Sequence, residues 1–336
     1  MTRYRRIVLK QRPQGRPRES DFELVEGDLL PLGEDQVTVK VSHLSIDAFI
    51  RTMLEERDAF HGSIPLGAPV VALGVGEVID STSKQLAVGD WVTGPLMAQT
   101  HAQLPAAMLQ KIDVSHLPPS TYLGALGMTT GLTAYFGLLE VAGVNAGDTV
   151  VVSGAAGAVG SMACQLARIR GARVIGIAGG PDKGRFVTQM LGADAAIDYK
   201  NDDVGARLDA LAPDGVDVYF DNVGGELLDL VLDRLRMGAR VAICGAISQY
   251  DDMSNVRGPK LYLRLAERNA CMCGFTVDHY AAQFGAATEK LAGWIAEGSL
   301  KLPEHVEEGI ERFPAALVML MSGGHMGKLL VKPQGP

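Results

Sequence analysis

Cysteine is scarce in this sequence, with four in 336 residues: Cys164, Cys244, Cys271 and Cys273. Such a count does not build a disulfide scaffold, and two of the four fall inside apolar runs, as reduced thiols do in a cytoplasm. Cys271-x-Cys273 is tighter than the two-residue spacing usual for zinc. The seven histidines, His61 among them, are scattered, and no His-Glu-x-x-His occurs, so no metal is expected. No apolar run approaches the ~18 residues of a membrane span. The opening Met1–Lys10 stretch is also too poor in apolar residues for a signal peptide. Basic runs end with the Arg3–Arg6 cluster and the net charge is −8, which excludes a nucleic-acid footprint. None of the eight tyrosines begins a Tyr-x-x-x-Lys, so the Tyr–Lys pair of short-chain dehydrogenases is not available.

What the sequence does hold is enough chain for two domains and, at 47% apolar residues, enough for a large core. The first ~120 residues read as β-rich and are punctuated by Gly and Pro. Residues 37–41 alternate apolar and polar, 70–79 form a longer apolar run, and a turn at 88–90 precedes a strand starting at Trp91. From Asp148 the texture changes. Apolar strand-like runs at 149–152, 173–177, 195–197, 216–220 and 240–244 alternate with helical spacing over 161–170, 183–191 and 227–235. That pattern predicts βαβ units with right-handed connections, hence an α/β, doubly wound parallel sheet. Residues 313–321 read as a helix and 328–332 as a strand returning to the N-terminal β-rich domain. The expected division is 1–122, completed by 300–336, and 123–299.

The strand at 149–152 runs into Ser153-Gly154-Ala155-Ala156-Gly157-Ala158-Val159-Gly160 and then a helix, the context that a dinucleotide fingerprint requires. Gly157 admits a pyrophosphate close to the backbone, and Gly160 lets the helix pack on the strand. The helix N-terminus offers free N–H groups to the phosphate. Ala155 stands where the first glycine of G-x-G-x-x-G belongs, so the loop is a variant. The second strand ends Ile177-Ala178-Gly179-Gly180 with no acidic residue to hold a ribose 2′-hydroxyl. Lys183 opens the next helix within reach of a 2′-phosphate. The reading favours NADP over NAD, the alternative being that Lys183 and Arg185 are solvated helix charges.

Several longer segments carry a resemblance: residues 44–51, Gly127–Leu138, the glycine loop, Asp198-Tyr199-Lys200, Asp221-Asn222-Val223-Gly224-Gly225, Cys244–Tyr250, Gly274–Val277 and Gly327-Lys328. Together they make the chain similar, nearly end to end, to the zinc-free medium-chain reductases of the leukotriene B4 12-hydroxydehydrogenase/prostaglandin reductase group. That resemblance implies a Rossmann domain plus a GroES-like β-rich domain, and NADPH-dependent reduction of the C=C bond of α,β-unsaturated aldehydes and ketones. Carried over, Gly157, Ala158, Val159 and Gly160 hold the pyrophosphate, and Lys183 and Tyr199 sit at the 2′-phosphate. Asn222 and Cys244, Gly245, Ala246, Ile247, Ser248, Gln249 and Tyr250 line the cofactor. Phe275, Thr276 and Val277 flank the nicotinamide. The group commonly has Asn where this chain has His325, and Asp-Pro-Tyr-Met-Arg where it reads Asp47-Ala48-Phe49-Ile50-Arg51. Phe49 and Arg51 are therefore expected at the substrate pocket.

Without a metal, the developing enolate oxygen needs a hydrogen-bond donor, and the Tyr250 hydroxyl is nominated for it. Two other readings stand beside this one: an NADPH:quinone oxidoreductase, and a non-catalytic NADPH-binding redox sensor. The expected setting is cytoplasmic, and the expected assembly is a homodimer.

Overall fold

Val37, Val39 and Val41 are buried and Lys40 is exposed along one strand, but Thr38 is buried too, so the alternation read at 37–41 holds at Lys40 and not at Thr38. The computed structural model describes residues 3–56 and 62–334; Met1, Thr2, 57–61 (with His61) and 335–336 lie outside the described residues. The chain divides into two units, one of residues 1–124 and 304–336 and the other of 125–303.

In the first unit β1 (Arg3–Leu9) pairs antiparallel with β2 (Phe22–Asp28). Next come β3 (Gln36–Ser45), β4 (Gly74–Ser81), β5 (Trp91–Gly94), β6 (His101–Pro105) and β7 (Gln110–Ile112). The run 70–79 is only half strand. Val70 instead donates to the Ile7 carbonyl and accepts from Ala98, and ladder pairing begins at Gly74. A short helix at Phe49–Met53 has no sequence counterpart in the periodicity, since five residues are too few to show a helical stripe.

The second unit holds β8 (Thr149–Ser153), β9 (Arg173–Ala178), β10 (Ala195–Asp198), β11 (Val216–Asp221), β12 (Leu235–Ile243) and β13 (Cys271–Gly274). All five pairings are parallel, in the order β10-β9-β8-β11-β12-β13. This is the 3-2-1-4-5-6 order of a dinucleotide-binding sheet. Val150, Val151 and Val152 are fully buried because helices cover both faces of such a sheet, which is why β8 reads as an unbroken β-branched run. The helix read at 161–170 starts earlier, at Ala158, directly after Gly157, and ends at Ile169. The helix read at 227–235 ends at Leu232, and β12 starts at Leu235 rather than Arg240. Leu235 is buried in the core cluster from the strand side, so its apolar character served the sheet and not the helix.

The chain then returns to the first unit with β14 (Glu304–Glu308) and β15 (Lys328–Lys332), joined by the helix Phe313–Ser322. β15 pairs parallel with β14 and antiparallel with β3, Leu330 opposite Ser45. The buried ammonium of Lys328 donates to the Asp47 carboxylate at 2.7 Å, and the Ser45 hydroxyl donates to the same carboxylate. The chain therefore joins a Rossmann sheet with a GroES-like β unit. Among the described residues no helix is long and apolar enough to cross a membrane.

Candidate active site

The switch point of the sheet lies between β8 and β11, where the chain departs in opposite directions from two neighbouring strands. At the carboxyl end of β8 the loop is tight. Gly154 adopts φ +60°, and a Cβ on Gly160 would stand 2.2 Å from the Gly154 carbonyl oxygen. Only glycine at 160 lets the helix Ala158–Ile169 start this close to the loop. Its N-cap, Gly157, has room for a Cβ only 3.2 Å from the same oxygen. The departure at Ala155 has a physical answer. Its methyl is buried, and Gly176 of β9 lacks the Cβ that would meet it at 2.8 Å. The first turn of the helix keeps N–H groups without intrahelical partners, the kind of helix start that can take an anion.

At the carboxyl end of β11, the buried Asp221 carboxylate gathers four donors on Oδ1: the Ser153 hydroxyl at 3.0 Å, the Tyr219 hydroxyl at 2.8 Å, and the N–H groups of Val223 and Gly224 at 3.0 Å each. Asn222 donates its backbone N–H to the Ser153 hydroxyl at 2.9 Å and its side-chain amide to the Ser153 carbonyl at 2.7 Å. The ends of β8 and β11 are therefore locked together. The Cys244–Tyr250 segment is bound onto this lock. Cys244 and Gly245 donate to the Asp221 carbonyl at 2.8 and 3.1 Å, Ile247 donates to the Asn222 carbonyl, and the Ser248 hydroxyl donates to the Val223 carbonyl at 2.6 Å. Gln249 donates through Nε2 to the Arg257 carbonyl at 3.1 Å, the same amide nitrogen lying 3.5 Å from where a Cβ on Gly224 would be.

The Tyr250 hydroxyl oxygen accepts from the Ala246 N–H at 3.2 Å and lies over Gly245, 3.0 Å from where a Cβ would be. Its own hydrogen remains for an acceptor. Burial raises the phenol above its ordinary value, against an opposing pull from the Ala246 N–H, and the nearby Asp221 charge adds to the rise. The group therefore stays protonated at neutral pH. Burial likewise pushes the Cys244 thiol up to about 12, which removes it as a nucleophile. Phe275 stacks edge-on against Phe220, ring centroids 6.4 Å apart, and covers Gly137, where a Cβ would be 2.3 Å from the ring. Thr276 follows half-buried and Val277 buried.

The far end of the site is built around Gly179 and Gly180. Tyr199 and Lys200 lie across Gly179, their atoms 2.8 and 2.9 Å from where its Cβ would be. Lys183 is half-buried; burial, and then the Lys200 charge, lower its pKa. Two cations held against one another are an arrangement that a dianion between them relieves. Asp198 is occupied by the backbone N–H groups of Gly180 and Lys200 at 2.7 and 3.0 Å, and Asp182 by Arg185, so both acids are committed to local partners. Lys200 was missed by sequence reasoning. It follows a strand as an exposed residue, and only its neighbour Tyr199 carried a signal.

Three sequence-expected residues belong to the other unit. His325 is buried in the loop before β15. Phe49 is half-buried at the start of its short helix. Arg51 is fully buried, donating to the Gly15 carbonyl at 2.8 Å and pairing with Glu55 at 2.7 Å, which ties together segments of its own unit.

Comparison with known proteins now decides the family. A model described as the N-terminal domain of oxidoreductase matches residues 5–112, and one described as zinc-binding dehydrogenase matches residues 158–292. The chain is 33% identical over 338 residues to the NADPH-dependent curcumin reductase of Escherichia coli, covering 99% of this chain and 98% of that protein. It is 35% identical over 333 residues to a 2-alkenal reductase (NADP(+)-dependent) of Nicotiana tabacum, covering 97% and 96%. The chain belongs to the zinc-free medium-chain alkenal/one reductases. A crystal structure of CurA from Vibrio vulnificus in complex with NADPH superposes with a TM-score of 0.93 at 34% identity, covering 99% of this chain and all of that one. Among the described residues of this medium-chain reductase, no three His, Cys, Asp or Glu side chains converge as a metal site.

Proposed function

We propose that this chain is an NADPH-dependent reductase that adds hydride and a proton across the C=C bond of α,β-unsaturated aldehydes and ketones. One observation carries the reading: a half-buried, protonated Tyr250 hydroxyl is held beside the Gly245 backbone, in the same unit in which the Gly157–Gly160 helix start offers its N–H groups. The unit of residues 125–303 is then the NADPH-binding one.

The residues present fit that cofactor. Gly157, Ala158, Val159 and Gly160 would take the diphosphate on backbone N–H groups. Lys183, Tyr199 and Lys200 would take the 2′-phosphate. Asn222 and the stretch from Cys244 to Gln249 would wall the ribose and nicotinamide, with Phe275, Thr276 and Val277 along the ring. When bound, NADPH supplies the hydride. Tyr250 donates its hydrogen bond to the carbonyl oxygen of the enal or enone as that oxygen gains charge. Its raised pKa keeps the proton in place to do so. Asp221 holds Asn222 and the 244–250 segment in register with the loop. The reactions named for the curcumin and 2-alkenal reductases support this choice of substrate class.

The proposal extends to setting and assembly. Free Cys164 and Cys244, neither in a disulfide, suit a reducing cytoplasm. β13 has a neighbour on one side only, and a second copy pairing along that edge would complete the sheet as a homodimer. The test is loss of reduced-nicotinamide absorbance against matched panels of 2-alkenals, enones, saturated aldehydes and quinones. Turnover is expected with 2-alkenals and enones and not with saturated aldehydes. Turnover confined to quinones would overturn the reading.

A further inference from the structure

Two thiols stand outside everything described so far. Among the described residues β13 is the last strand of the parallel sheet, paired with β12 alone, Arg240 opposite Cys271 and Ala242 opposite Cys273. Side chains alternate along a strand, so Cys271 and Cys273 share one face while Met272 takes the other. The burial agrees: Met272 packs against the core cluster of the sheet, and both cysteines are exposed. Partial desolvation, and then the Cys271 charge, hold the Cys273 thiol above its ordinary value. Cys164 and Cys244 are a different kind of thiol, both pushed up to about 12 by burial.

From this juxtaposition we infer that Cys271 and Cys273 form a two-thiol capture site for monosubstituted trivalent arsenicals. The choice of ligand follows from the geometry of an extended strand. Residues i and i+2 are about 6.6 Å apart at Cα, near the upper limit of about 6.8 Å for a disulfide, so direct S–S closure sits at the edge of what an extended strand allows. A single bridging atom lengthens the span between the sulfurs and leaves the strand extended. Zinc asks for four ligands, and no third His, Cys, Asp or Glu joins the pair among the described residues. An arsenical R–As=O asks for two thiols and no more. One thiol attacks arsenic and the other closes the chelate; two As–S bonds replace the As=O bond. The oxygen leaves as water with both thiol protons, and arsenic stays trivalent. The second step is intramolecular, so the chelate resists competing monothiols. The thiols project from the sheet face, at right angles to the free edge, so pairing of a second copy along that edge uses backbone groups and not the sulfurs.

The probe is phenylarsine oxide added to the reduced full-length chain, followed by gel filtration in excess 2-mercaptoethanol and intact-mass measurement. One phenylarsenic per chain is expected to survive the monothiol and to be stripped by 2,3-dimercaptopropanol. Cys271→Ser and Cys273→Ser should each lower retained arsenic at least tenfold, with melting temperatures unchanged. Retention in the double serine variant would place the adduct on another thiol and overturn the site. So would one arsenic per two chains, or a wild-type chain that alkylates rapidly at two thiols with N-ethylmaleimide yet keeps no arsenic. The readout is mass, so its failure is separate from any failure of the reductase reading.

Discussion

Gly160→Ala is the sharpest perturbation the site offers. The added Cβ would stand 2.2 Å from the Gly154 oxygen, 2.8 Å from its carbonyl carbon and 2.9 Å from the Ala155 Cα. All three are backbone atoms of a loop tied to β9 by the Ala155 N–H to Ile177 carbonyl bond at 3.0 Å, so no flexible side-chain end can yield. The helix Ala158–Ile169 must back away by roughly an ångström, and Gly160 through Ala167 are all buried along it. Overpacking of this kind costs about 2–3 kcal/mol. For units of this size that corresponds to a fall in Tm of roughly 4–12 °C. Because the same movement withdraws the helix N-terminus from the diphosphate, NADPH affinity should drop about tenfold or more, roughly 1.4 kcal/mol. Gly293→Ala is the internal control. It sits in the helix Phe284–Ala296 with nothing within 4 Å of the new Cβ, and should stabilise by roughly 0.5–1 kcal/mol. Thermal melts and calorimetric titration with NADPH read both. A Gly160→Ala protein with wild-type Tm and wild-type NADPH affinity would refute the packing argument.

Lys183→Ala and Lys200→Ala should each weaken NADPH binding by about 1.5–3 kcal/mol, roughly 10- to 150-fold, and leave NADH binding nearly unchanged; paired calorimetric titrations read the difference. Tyr250→Phe should lower kcat with a 2-alkenal by ~10²–10³ with little change in NADPH Kd, and an unchanged kcat removes the hydroxyl from the chemistry. His43 is lowered to about 4 by burial, then by Lys332, against an opposing pull from Glu308. Its folded pKa lies below its unfolded one, so stability is full above about pH 6.5 and is lost as pH falls toward 4. After discount for its partial exposure the loss is about 1–2 kcal/mol, seen as a lower urea midpoint at pH 4.5 than at pH 7. His43→Gln should flatten that dependence.

The parallel sheet was legible because it is buried on both faces. Val150–Val152 and the run from Val174 to Ile177 read as strands from chemistry alone. The helix boundaries beside them slipped where one apolar residue could serve either element, as Leu235 does. β13 left no trace, because its solvent face carries two cysteines and the strand is four residues long. In the loop, the need for glycine at 160 follows from the strand–turn–helix motif. The tolerance of Ala155 does not, since it depends on Gly176, a residue of the neighbouring strand. Likewise Asp221 reads as part of a turn motif, and one of its four donors, Ser153, arrives from a separate stretch of chain. Lys200 gained meaning only once the backbone laid it across Gly179 beside Tyr199.

The central claim is hydride delivery to a carbon–carbon double bond, and isotope transfer tests it most directly. With NADPH deuterated at the transferring position and a 2-alkenal as substrate, NMR of the product should show one deuterium at C3 and an intact aldehyde. Deuterium at C1 of an allylic alcohol, or no transfer at all, would contradict it.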